Sequence, residues 1–104
     1  MNLQGLREAL TEGRIEWRKH VLQRLAERNI LQEEVIKALQ SGEVIEDYHD
    51  DKPYPSSLFL GSGQHEPLHV VVAFDEGNKL AYSSTAYRPS AQAFESDYRT
   101  RKRR

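Results

Sequence analysis

The chain reads as an α+β domain in which N-terminal helices pack on a four-stranded antiparallel β-meander, with a short C-terminal helix. Two observations predict this. Apolar residues recur at spacings of three and four through the first forty residues, and beyond Gly42 they switch to short β-branched runs separated by turn residues. A third bounds it: 104 residues without a cysteine suit one domain over 1–104, large enough for a core without disulfides.

Leu3, Leu6 and Leu10 mark a short amphipathic helix that ends near Gly13. The second helix is predicted from Glu16 to Arg28, closed by Asn29 in a left-handed conformation. Val35, Ile36 and Leu39 repeat at helical spacing between Glu33 and Gln40, and Ser41-Gly42 stops that third helix. Val44-Ile45 and Tyr48 suggest the first strand. Lys52-Pro53-Tyr54-Pro55 must be a loop, because prolines cannot sit in a central ladder. Ser57 to Gly61 reads as a strand. Leu68 to Phe74, almost wholly apolar, reads as a central strand covered on both faces. Asp75-Glu76-Gly77-Asn78-Lys79 is predicted as a five-residue hairpin loop leading into a strand from Leu80 to Tyr87, and residues 90–98 as the last helix. That loop length pairs Phe74 with Leu80, Val72 with Tyr82 and His69 with Thr85. Val70, Val72, Phe74, Leu80 and Tyr82 then share an apolar face, and His69, Ser83, Thr85 and Tyr87 a polar one.

Charge is segregated. Residues 1–87 carry 9 basic and 14 acidic side chains, and residues 88–104 carry 6 and 2. Such asymmetry permits an anionic partner without requiring one. The basic tail at 99–104 reads as a solvated, frayed end. The absence of an apolar run of membrane length and of a signal-peptide core predicts a cytoplasmic protein with no membrane partner.

His20, Arg24 and Arg28 recur at spacing four, and on a helix each such step advances only about 40°, which makes one stripe. The stripe borders the arc of Trp17, Val21 and Leu25 rather than opposing it. Ionised groups are costly to desolvate, so the stripe is either a satisfied network or a site built for an anion.

Five segments occur in an order that carries a resemblance: Trp17-Arg18-Lys19-His20 with Arg24 and Arg28; Gly42-Glu43-Val44-Ile45-Glu46-Asp47-Tyr48; Pro53-Tyr54-Pro55-Ser56; Pro67-Leu68-His69-Val70-Val71-Val72; and Thr85-Ala86-Tyr87-Arg88-Pro89. Together, over residues 16–101, they resemble the DUF4258 family of small bacterial and archaeal proteins, whose label describes no established activity. The order of helices and antiparallel sheet is also similar to RelE-like toxins and barnase-type ribonucleases. Proteins with these motifs are often encoded beside a small zinc-finger protein of the YgiT/MqsA antitoxin type. The resemblance implies a toxin of a type II toxin–antitoxin pair that cuts messenger RNA, on or off the ribosome, and such a zinc-finger antitoxin as its partner. Phe94 stands where relatives are expected to carry a tryptophan, and no role is transferred there.

Metal-independent RNA cleavage needs a base for the 2′-hydroxyl, an acid for the leaving 5′-oxygen, and donors for the charged phosphorane. Candidate catalytic residues are His20, His69, Arg24 and Tyr87. Candidate substrate-binding residues are Arg28, Thr85, Trp17 and Tyr54. Each has a plainer alternative: His69 as a hydrogen-bonded core histidine, Arg24 and Arg28 as partners of Glu46 or Asp47, Trp17 and Tyr54 as packing, and Tyr87 as a cap on the sheet edge. The alternative function is a non-catalytic RNA- or protein-binding domain using the same stripe. His49-Asp50-Asp51 lacks the spacing of a metal site, and neither a phosphate-binding glycine loop nor a Gly-x-Ser-x-Gly elbow occurs, so no metal and no cofactor are expected.

Overall fold

The computed structural model describes residues 1–62 and 66–89. The elements run α1 (Leu3–Thr11), β1 (Ile15–Trp17), α2 (Lys19–Glu27), α3 (Gln32–Ser41), β2 (Glu43–Tyr48), β3 (Ser56–Ser62), β4 (Pro67–Asp75) and β5 (Leu80–Tyr87). The sheet has five strands in the order β1-β5-β4-β3-β2. β2 to β5 form the expected antiparallel meander, and β1 joins it parallel to β5, so the sheet is mixed.

β1 corrects the sequence reading twice over. Glu16 and Trp17, expected in the first turn of the second helix, instead form a three-residue strand with Ile15, with Ile15 opposite Ala81 and Trp17 opposite Ser83. Arg18 stays extended at φ −73° and ψ 148°, and the helix starts only at Lys19. The expected C-terminal helix over 90–98 and the basic tail lie outside the described residues.

The three helices bury one core against one face of the sheet. Leu6 and Leu10 from α1, Val21 and Leu25 from α2, and Val35 and Leu39 from α3 meet Phe59, Leu68, Val70, Val72, Phe74, Ala81 and Ala86. Asn29 closes α2 at φ 54°, a left-handed conformation that asparagine tolerates. α3 lies so close to β3 that a Cβ on Gly61 would sit 2.5 Å from both Cα and Cβ of Ala38. Past the end of β5, the Arg88 side chain donates to the Asn29 carbonyl and pairs with Glu34 at 3.6 Å and Glu66 at 3.2 Å. Glu34, 5% exposed, also accepts the Leu31 N–H at 2.9 Å at the start of α3.

The hairpin register differs from expectation. Asp75 belongs to β4 and pairs with Leu80, leaving four loop residues, so Phe74 faces Ala81 and Val72 faces Ser83. The Asp75 carboxylate organises this tighter turn by accepting from the Asn78 backbone N–H at 3.1 Å and from its side-chain amide at 2.8 Å. A bulge at Ser84 then shifts the register once more, placing Val71 opposite Thr85 and His69 opposite Tyr87. One-residue slips exchange faces. Leu80 and Tyr82 therefore lie on the face away from the core helices, and Ser83 on the helix side, the reverse of the expectation. His69, Thr85 and Tyr87 share the far face as expected.

Candidate functional site

A cavity of about 250 Å³ opens where the start of α2, the proline loop and the bulged part of β5 meet. β1 and the extended Arg18 end beside β5, and this aims the N-terminus of α2 at the cavity. No side chain caps that terminus, and its backbone N–H groups and dipole favour an anion. Arg18 and His20 line the cavity from this side, and Asp51, Lys52 and Tyr54 from the loop. Ser56, Ala73, Tyr82, Ser83 and Ser84, on three neighbouring strands, complete the lining.

Several of these side chains are held in place. The Tyr54 and Tyr82 rings stack with centroids 5.5 Å apart and planes 7° from parallel. The Arg18 guanidinium carbon lies 5.8 Å from the Tyr82 ring centre, a cation–π contact that fixes the cation at the cavity wall. The Asp75 carboxylate, through a hydrogen bond and its charge, pushes the Tyr54 hydroxyl above its ordinary pKa. Asn78 in turn, as a side-chain donor above all, holds Asp75 below the usual carboxylate range. Tyr54 therefore keeps its proton at neutral pH and is a donor, not a base. Asp51 accepts a hydrogen bond from the Ser56 hydroxyl, which orients its carboxylate. Ser83 is 1% exposed and its Oγ has no hydrogen-bond partner among the described residues, an unusual state for a buried hydroxyl.

The sequence-derived candidates divide into separate places. His20 and Tyr54 come together in this cavity. His69 and Tyr87 form a second cluster, with rings 5.3 Å apart at 65° and His69 Nδ1 3.4 Å from the Tyr87 hydroxyl. His69 is fully buried and four strand residues from Ala73, about 13 Å along β4. Thr85, opposite Val71, lies between the two clusters.

The stripe breaks up as well. Arg24 is 62% exposed and pairs with Glu27 at 3.2 Å. Arg28 donates to the Ala86 carbonyl at 2.8 Å, where β5 continues beyond the three residues that β1 covers. Neither arginine makes the pairing with Glu46 or Asp47 considered as an alternative: the Asp47 carboxylate accepts from Ser57, and that of Glu46 from Tyr48. Trp17 is not in the cavity. It lies with Leu10, Ile15 and Ile36 along an apolar groove of about 680 Å³ between β1 and the flanking helices.

Sequence reasoning missed Arg18, Asp51, Lys52, Tyr82, Ser83 and Ser84. One signal was available: a hairpin turn begun by Asp75 with Asn78 three residues on is short, and that moves Tyr82 to the face that Tyr54 occupies. Among the described residues, no group of three or more histidine, cysteine, aspartate or glutamate side chains is arranged to hold a metal ion. No helix among them is long and apolar enough to cross a membrane.

Comparison with known proteins agrees with the motif order. The family described as domain of unknown function DUF4258 matches residues 17–88. No curated protein and no solved structure matches the chain.

Proposed function

Because the chain belongs to the DUF4258 family, whose description assigns no activity, we propose a function from the cavity itself: a metal-independent endoribonuclease. The observation that carries this reading is the meeting of a carboxylate, an imidazole and two cations in one cavity: Asp51, His20, Arg18 and Lys52. In this reaction the Asp51 carboxylate takes the proton of a ribose 2′-hydroxyl as its oxygen attacks the adjacent phosphorus. The His20 imidazolium gives a proton to the departing 5′-oxygen. The P–O5′ bond breaks, and the products are a 2′,3′-cyclic phosphate and a free 5′-hydroxyl. Imidazole suits the acid because either ring nitrogen can carry the proton that is given. Arg18, Lys52 and the start of α2 surround the phosphorane as its charge develops.

The toxin role rests on the likeness to RelE-like proteins, and so does a zinc-finger antitoxin as partner. Expression with and without the product of a neighbouring gene tests both. Growth arrest with RNA decay, relieved by the neighbour and lost in His20→Ala, is expected. Normal growth at high levels of folded protein excludes the toxin.

One observation favours a second reading, RNA binding without cleavage. His69 lies in a different place, so among the described residues the cavity offers one imidazole and takes its base from Asp51. Salt-sensitive binding with no new RNA ends is the outcome that selects it.

A further inference from the structure

The cavity's size and its paired rings bear on the kind of RNA it takes. About 250 Å³ is small even for a ligand pocket and has room for one nucleotide, not for the width of a duplex. Along one wall, two tyrosine rings lie nearly parallel at 5.5 Å. Their arrangement is set by the chain itself: Tyr54 sits between Pro53 and Pro55 in the loop. Tyr82 is fixed by the ladder of β5, opposite Ala73. A rigid aromatic surface loses little entropy when a flat ligand settles on it. The Arg18 cation lies beside Tyr82 and lines the same cavity, so it is placed to meet a phosphate there.

We propose that the Tyr54–Tyr82 pair seats one unpaired nucleobase, which makes single-stranded RNA, recognised by stacking, the substrate class of this cavity. The inference rests on the endoribonuclease reading for its chemistry and adds what that reading leaves open, the strandedness of the RNA and the residues that sense it. Stacking tolerates any base, since every base has a π-face, so the cavity discriminates paired from unpaired RNA more than one base from another.

Binding by fluorescence anisotropy tests this with four probes: a labelled single-stranded RNA, the same strand with an abasic site at each position in turn, the corresponding duplex, and a free mononucleotide. His20→Ala protein serves wherever the strand is cut. Loss of one base at the seated position, or Tyr54→Ala, is expected to weaken single-strand binding by roughly 5- to 150-fold. The two losses are not additive, because both remove the same contact. Tyr54→Phe keeps the ring and retains most of the binding. The abasic series uses unmutated aromatic residues, so it decides the matter even if Tyr54→Ala folds poorly. Duplex binding as tight as single-strand binding, or abasic strands binding like intact ones, overturns the proposal, as does equal affinity for the mononucleotide and the strand. Failure of the endoribonuclease reading shows differently, as intact RNA after incubation with a wild-type protein that still prefers single strands.

Discussion

Replacing Arg28 by alanine removes a charge-assisted hydrogen bond from its guanidinium to the Ala86 carbonyl, 2.8 Å long. Ala86 is 1% exposed, and its carbonyl lies beyond the reach of β1, so no strand among the described residues replaces the lost donor. Hydrogen bonds to charged groups are worth roughly 1.5–3 kcal/mol. Arg28 itself is exposed, and water can reach part of the vacated space, so about 1–2 kcal/mol is the expected loss. For a domain of this size each 1 kcal/mol moves Tm by about 4–8 °C, giving a fall of roughly 4–16 °C. Arg24→Ala provides the contrast. Its pair with Glu27 is exposed at 62% and 60%, and such pairs contribute about 0–1 kcal/mol, so Tm is expected to fall by about 0–8 °C and by less than in Arg28→Ala. Thermal melts of the three proteins at one ionic strength measure both effects. Equal melting temperatures for Arg28→Ala and wild type, or a larger fall for Arg24→Ala, refute the division of the stripe into a structural and a solvated part.

Gly61→Ala places a Cβ against the backbone of α3 at Ala38 and is expected to cost about 1–3 kcal/mol, seen as a lower denaturant midpoint with unchanged slope. Glu34→Ala removes both the acceptor for Leu31 N–H and the partner of Arg88, with an expected loss of about 1.5–3 kcal/mol in the same assay. The Tyr54–Asp75–Asn78 chain makes stability depend on pH at both extremes. Asp75 is lowered in the folded state, so its contribution is present above the ordinary carboxylate pKa of 3.8 and is lost as pH falls below it. Tyr54 is raised, so its contribution is full below 10.0 and is lost as pH rises through the folded value. Melts across pH are expected to show both declines in wild type and smaller ones in Asp75→Asn; identical profiles contradict the chain.

The parts of the fold legible in the sequence are those specified by local chemistry. Leucine spacing marks α1, Asn29 has the left-handed conformation that closes α2, and the run from Leu68 to Phe74 lies in the central strand, although Val71 and Ala73 on the face away from the helices are only half-buried. What escaped depends on distant partners or on single-residue geometry. Ile15-Glu16-Trp17 alternates like a strand, but Trp17 also stands four residues before Val21, so helical periodicity absorbs it. Only the pairing with Ala81 to Ser83 reveals the strand. The register turned on whether Asp75 ends β4 or begins the loop, and on a bulge at Ser84 that no spacing announces. The candidate site shows the same division. His20 and Tyr54 were legible as residues, but their meeting with Asp51 and Tyr82 needs three separate segments to be folded.

Incubation of the purified protein with a defined single-stranded RNA in excess chelator, followed by analysis of the new ends, tests the central claim most directly. Wild type is expected to leave 2′,3′-cyclic phosphate and 5′-hydroxyl ends. His20→Ala and Asp51→Asn, each verified as folded by its melting curve, are expected to lose cleavage by roughly 10²-fold or more. Uncut RNA with folded wild-type protein contradicts the account, and so do cleavage that the two variants retain and ends of any other chemistry.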